Sequence, residues 1–215
     1  MILIDTTVLA DAVGQLIAVD AESGVGAGML ARDRRPVRSM RRLDMASSDI
    51  AAAIRGARTY LTANPAEATY RDGAATAIVE DGLRIRVDGP DGVTITTDMV
   101  KGIGGGGSAP SSGWLFRAGY AACVATLITM RAAESGLELS GLEVAVDSES
   151  NDFGILGIDP SVPAGPLSMR IAIRVAAGSA PNPLLREVID WGIAHCPVDD
   201  AVRRAVPVEV TLDLG

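Results

Sequence analysis

The stretch GWLFRAGYAACVATLITM, residues 113–130, decides how the rest of the chain is read. It contains no proline and a single charge, Arg117, and its apolar residues fall on nearly every side of a helix. A helix that is apolar all round belongs in the middle of a protein or in a membrane. The unbroken apolar part, Ala118 to Met130, falls short of the roughly 20 residues that a bilayer requires. The sequence therefore predicts a buried central helix and no membrane span. Small residues crowd its middle, namely Ala118, Gly119, Ala121, Ala122 and Ala125, so another backbone can approach closely. Among them sits Cys123, one of two cysteines in 215 residues.

Working outward, the flanking segments alternate between strand and helix signals. SSDIAAAIRGARTYLTANP, from Ser47, reads as a helix with a Ser or Asp cap, stopped at Asn64-Pro65. After it, residues 68–99 alternate in polarity, with Asp-Gly pairs at 72, 81, 88 and 91, as expected of an antiparallel meander of about three strands. A glycine-rich loop leads into the central helix, expected over about Ser111 to Ser135 and closed by Gly136. LEVAVDSES and LSMRIAIRVAA read as strands with a loop between them. NPLLREVIDWGIAH is an amphipathic helix, ended at Cys196 because a residue before proline avoids the helical region. A short helix, VDDAVRRAV, and a last strand, VPVEVTLDL, complete an α+β domain expected over residues 46–215.

Residues 1–45 differ from the rest. MILIDTTVLADAV superficially resembles the opening of PIN-type nucleases, but no further carboxylates follow in the required pattern. The plainer reading is an N-terminal extension, disordered or upstream of the true start, with Met40 and Met45 as plausible initiators. No signal peptide is legible, since Asp5 stands where a basic region belongs. A cytoplasmic, thiol-reducing location is the expectation.

Composition narrows the function. Hydrophobic residues make up 48% of the chain and aromatics 3%, so the core is built from Ala, Val, Leu and Ile. The net charge is −8, although ARDRRPVRSMRR (31–42) is strongly basic, so the remainder is more acidic still. Such a surface repels phosphate backbones and argues against a nucleic-acid partner.

Several chemistries fail on their residues. GIGGGG (102–107) fits a dinucleotide fingerprint by spacing, but neither a parallel βαβ unit nor a following acid accompanies it, and no P-loop Lys follows. It reads as a flexible connection. The single histidine, His195, has no serine in a nucleophile elbow to serve and no metal-ligand spacing around it. Asp199 and Asp200 read as helix-start acids. No cofactor and no metal are expected. Two cysteines remain, and buried free Cys is most often a small hydrophobe.

LFRAGYAACVATL is similar to the central helix of the OsmC/Ohr family, thiol-dependent peroxidases and their relatives. There an LFAAGYAAC-like stretch carries the peroxide-reacting cysteine, and a second cysteine lies in a CPV-like turn before a short helix. HCPVDDAV resembles that turn, and GLRIRVDGPDGVTITTD with its glycine loop resembles the strand block upstream. The likeness runs from about Ala66 to the C-terminus. It implies an OsmC-like fold, with antiparallel strands wrapped around long central helices in an intertwined homodimer. It further implies that Cys123 attacks an organic hydroperoxide, that Cys196 resolves the sulfenic acid to a disulfide, and that a dithiol such as dihydrolipoamide restores both. A cation must support the thiolate. An arginine in a GRDG-like stretch does so in the family, which makes Arg71 in YRDG the first candidate, with Arg117, Arg84 and Arg86 behind it. The family's PEQLF motif departs here to SSGWLF, so Gly113 stands where a glutamate would hold that arginine. This departure keeps an alternative open, a non-catalytic dimer that binds a small apolar ligand. Sulfur or acyl transfer on the same fold is a third reading.

Overall fold

The computed structural model describes residues 47–215, so the extension expected over residues 1–45 lies outside it. The described chain forms two compact units, residues 71–112 and residues 47–70 with 113–215.

The smaller unit is the expected meander. Strands β1 (Thr76–Asp81), β2 (Arg84–Asp88) and β3 (Thr94–Thr97) pair antiparallel in the order β1-β2-β3. Val79 faces Ile85, Ile85 faces Thr97, and the register of β1 slips between Val79 and Asp81. Of the four Asp-Gly pairs, those at 81–82 and 91–92 make the turns between strands, the pair at 72 precedes β1, and the pair at 88 closes β2. At the second turn Asp91 itself takes φ +57, a left-handed conformation that Asp tolerates better than most residues. Every residue of β1 is exposed.

The glycine-rich loop that follows is not the slack connection expected from its composition. Asp98 organises it. Its carboxylate accepts the backbone N–H groups of Met99 (2.7 Å), Gly106 (3.2 Å) and Ser108 (2.9 Å) and the Ser108 hydroxyl (2.8 Å). These bonds hold the carboxyl well below the usual carboxylate range, at about 2. Gly105 has to be glycine, because a Cβ there would lie 1.9 Å from the Met99 carbonyl oxygen.

The larger unit begins with helix α1 (Ser47–Ala63), which ends as expected. Asn64 bonds back to the Tyr60 carbonyl through its side chain at 2.8 Å, and Pro65 forbids continuation. The central helix, α2, spans Ser112–Glu134, within a residue of its expected bounds. Its 23 residues are long and apolar enough, by length and composition, to cross a membrane, which the shorter uncharged stretch read from the sequence was not. Tyr120, Val124, Ile128 and Ala132, at helical spacing, are instead buried within this unit.

Strands β4 (Gly141–Glu149) and β5 (Ser168–Ala176) form an antiparallel pair, nine residues on nine. Their alternation sorts two faces. Leu142, Val144, Val146, Met169, Ile171 and Ile173 pack against the core. On the other face Glu143 lies opposite Arg174 (3.0 Å) and Asp147 opposite Arg170 (2.6 Å), so charge and pleat agree on one register. The connection between these strands contains a single helical turn, α3 (Asp152–Ile155), where only a loop was expected; Asn151 caps it by accepting the Phe153 N–H at 3.0 Å. Helix α4 (Asn182–Ala194) lays Leu185, Val188 and Ile189 on the core, and α5 (Pro197–Arg203) follows directly.

The expected last strand does not form. Residues after Arg203 are irregular and exposed, with Val208, Val210, Leu212 and Leu214 all open to solvent. Their alternation is that of a strand, but a strand needs a neighbour's ladder of N–H and C=O groups. No described strand of this chain supplies one.

Candidate functional site

The two cysteines meet in the larger unit. Cys196 is 1% exposed and belongs to the same core cluster as Tyr120, Val124, Ile128 and Val188. Cys123, half-buried on α2, packs against that cluster, with Cys196 close enough to perturb its thiol. Both thiols are free.

Close approach of two helices brings them there. A Cβ added to Gly192 of α4 would sit 2.6 Å from Ile128 Cγ1 and 2.9 Å from the Ile128 backbone nitrogen. Only glycine lets α4 come this near to α2. Gly192 precedes Cys196 by four residues, about one helical turn, so the same approach carries Cys196 inward.

Proline then turns the chain. Cys196 stands at the N-cap of α5, with Pro197 as the first helical residue, a position where the missing N–H costs nothing. The first amides of α5 face the sulfurs. The Asp199 N–H donates to Cys196 Sγ at 3.5 Å, and the Val198 amide lies near enough to the sulfur of Cys123 to favour its thiolate. Burial pushes the Cys123 thiol up from its ordinary value, the Val198 amide pulls it back in part, and the neighbouring Cys196 adds to the rise.

Tyr120 and Arg203, next to this pair, escaped the sequence reading, and Asp199 was read only as a helix-start acid. The Asp199 carboxylate is buried and accepts at both oxygens, from the Tyr120 hydroxyl at Oδ1 and from Arg203 Nε at Oδ2 (2.6 Å). Burial pushes the Asp199 carboxyl up, but the Arg203 and Tyr120 bonds outweigh it and leave the group below its usual value. Burial and the anionic partner push the Tyr120 hydroxyl up to about 12. Asp199 is the first-turn acid expected, with a further task. The signal available in the sequence was the spacing of Asp199 to Arg203, four residues along one helix.

Three of the four candidate arginines are engaged within their own units. Arg84 pairs with Glu80 (3.2 Å) and reaches the Ser108 hydroxyl (2.7 Å), and Arg86 pairs with Glu80 and Asp88. Arg117 donates to Ser148 Oγ at 3.3 Å. Arg71 lies exposed in the coil before β1, in the smaller unit. His195 stacks on Trp191, with ring centroids 3.9 Å apart, and bonds the Trp191 carbonyl at 2.8 Å.

A family model described as OsmC-like protein matches residues 105–211. The organic hydroperoxide resistance protein of Xanthomonas axonopodis pv. citri (strain 306) is 30% identical over 151 residues, which span 70% of this chain and 99% of that one. The chain belongs to the OsmC-like family. A protein of the same description from Xanthomonas campestris pv. phaseoli matches equally. The OsmC like protein of Mycoplasma pneumoniae, at 14% identity, shares the fold with a TM-score of 0.54 over 64% of this chain and 91% of that one. The two cysteines of this OsmC-like chain both fall inside the matched residues.

Proposed function

We propose that this OsmC-like protein is a thiol-dependent peroxidase that reduces organic hydroperoxides through a two-cysteine cycle. The observation that carries the reading is the contact of Cys123 with Cys196 in one apolar core. Packing alone has no need to set one buried thiol against another from a distant turn. The relatives named for organic hydroperoxide resistance support the substrate class.

The Cys123 thiolate attacks the distal peroxide oxygen, the O–O bond breaks, and the alkoxide leaves as the alcohol after taking a proton. Sulfur is oxidised by two electrons to a sulfenic acid. The Cys196 thiolate then attacks that sulfur, and hydroxide leaves as water with the proton from Cys196. A dithiol such as dihydrolipoamide reduces the disulfide by exchange. The apolar neighbours, Val124 and Val198 among them, favour a substrate with an organic tail over hydrogen peroxide.

Burial opposes the Cys123 thiolate, so the cycle needs a cation. Arg71 is assigned that role. A homodimer is part of this reading. The alternating tail from Val206 to Leu214 and the exposed strand β1 are segments a second copy would cover. Cytoplasmic residence, where reducing thiols are at hand, completes it. A non-catalytic dimer binding a small apolar ligand is favoured by two observations, the burial that opposes a Cys123 thiolate and Gly113 in place of a glutamate.

A thiol count decides between them. The reduced protein receives one equivalent of cumene hydroperoxide per chain, and free thiols and intact mass are read without reductant. Loss of both thiols with the mass of two hydrogens supports the peroxidase. Two surviving thiols at unchanged mass would overturn it in favour of the binder.

A further inference from the structure

The link between Tyr120 and Asp199 ties together the two elements that carry the sulfurs. Tyr120 lies on α2 three residues before Cys123, on nearly the same face one turn away. Asp199 lies three residues after Cys196, and its own N–H donates to the Cys196 sulfur. One hydrogen bond, from Tyr120 Oη to Asp199 Oδ1, therefore spans from within a turn of one thiol to within a turn of the other. Arg203, whose side chain is 67% exposed, occupies the second carboxylate oxygen from the solvent side.

A carboxylate is a poor choice for activating either thiol. Negative charge beside a sulfur disfavours the thiolate. Burying a carboxylate is also costly unless it is paired and hydrogen-bonded, and Asp199 is both. Its place is accounted for by geometry and not by electrostatic help to the nucleophile.

We propose that the chain Tyr120–Asp199–Arg203 is a positioning device that holds the Cys196 turn against Cys123 and thereby sets the rate of disulfide closure. This inference rests on the two-cysteine reading above. Tyr120 supplies the anchor on α2, Asp199 the rigid bridge, and Arg203 the charge that keeps the bridge ionised. With the bridge cut, the turn at Cys196-Pro197 samples positions from which Cys196 does not reach the oxidised sulfur. Closure slows more than the first oxidation of Cys123 does, and the waiting sulfenic acid meets a second peroxide.

The test separates the two steps. Tyr120→Phe removes only the hydroxyl and keeps the packed ring. Asp199→Ala removes the bridge, and Asp199→Asn keeps an oxygen that accepts from Tyr120. Reduced full-length proteins are treated with diamide, which oxidises neighbouring thiols without any peroxide chemistry, and with cumene hydroperoxide. Quenched samples are read by mass for the first adduct or sulfenic acid, the disulfide, and the sulfinic acid. The ratio of closure to first-step rate is expected to fall about tenfold in Tyr120→Phe and Asp199→Ala, equivalent to about 1.4 kcal/mol in the closure barrier. Asp199→Asn should fall less. Sulfinic acid should appear at lower peroxide in the same order. A ratio within twofold of wild type in Tyr120→Phe would overturn the proposal, and that variant carries the test if Asp199→Ala does not fold. Asp199→Asn as slow as Asp199→Ala would also overturn it, because the Tyr120 bond would then not be the working part. Wild-type protein that closes with diamide but consumes no cumene hydroperoxide would sink the peroxidase reading. The diamide ratios would then judge the positioning role separately.

Discussion

Replacing Gly192 by Ala tests whether helix approach is what brings the cysteines together. The new Cβ would lie 2.6 Å from Ile128 Cγ1, 2.9 Å from its backbone nitrogen and 3.0 Å from its Cα. Ordinary carbon contacts lie at about 3.5–4.0 Å, so α4 must retreat by roughly 1 Å. Ile128 is fully buried and two of the three clashing atoms are backbone, so a rotamer change offers no escape. Overpacking of this kind costs about 1–3 kcal/mol, and backbone clashes place it near the upper end. Alanine returns up to about 1 kcal/mol through its better helix propensity. The net expectation is a loss of about 2 kcal/mol, read as a lower urea midpoint at unchanged slope. Gly56→Ala provides the matched comparison: it lies within α1, and a Cβ there meets nothing within 4 Å. That variant should gain stability by up to about 1 kcal/mol. The Gly192→Ala protein should also close its disulfide more slowly under diamide, since the same displacement carries Cys196 outward. Equal or greater stability in Gly192→Ala, with closure at the wild-type rate, would refute the close-approach argument.

In Cys196→Ser the sulfenic acid on Cys123 has no resolving partner, so excess peroxide should add the mass of two oxygens per chain, seen by intact mass; a clean resting thiol would count against resolution. The Tyr120 hydroxyl, raised to about 12, favours the folded state below the unfolded value of about 10, and this contribution of about 2–3 kcal/mol is lost as pH rises from about 10 to about 12. Urea midpoints at pH 9 and 11.5 should therefore drop further in wild type than in Tyr120→Phe. Asp98→Asn should open the loop it staples, and trypsin should cleave after Lys101 faster than in wild type. In the wild type the same loop should loosen as pH falls from about 4 to about 2, because a depressed carboxyl stabilises only while it is ionised; amide exchange at Gly106 and Ser108 reads it.

Elements whose evidence is local were legible. The central helix declares itself by an apolar stretch with one charge, and its α2 bounds shift by a single residue. The pair β4 and β5 was legible from alternation, and the turns at 81 and 91 from Asp-Gly. What escaped depends on partners remote in sequence. Alternation in VPVEVTLDL marks a two-faced extended segment, but not who supplies its ladder. Composition made residues 102–107 look slack, since nothing in a run of glycines reveals that Asp98 gathers their amides. The two cysteines were named from the resemblance, and the fold sets them in contact. Tyr120 and Asp199 were invisible as a pair because each has a sufficient local explanation, one as a core aromatic and the other as a helix-start acid.

The remaining question at the site is one of charge. Burial raises the Cys123 thiol, one backbone amide opposes the rise, and the net effect is still upward. Arg203, bonded to the neighbouring Asp199, is neutralised by it. Arg84, Arg86 and Arg117 are likewise engaged within their own units. If Arg71 is the cation of the working site, its charge must appear in the pH dependence of Cys123 alkylation. Iodoacetamide labelling of Cys196→Ser isolates Cys123. Its midpoint should lie below the ordinary thiol value of about 8.5 and move up by roughly one unit or more in Arg71→Met, with peroxide consumption falling in parallel. A midpoint above 8.5 that ignores Arg71→Met would remove Arg71 from the site and, with a resting thiol too weakly ionised to react, would favour the ligand-binding dimer.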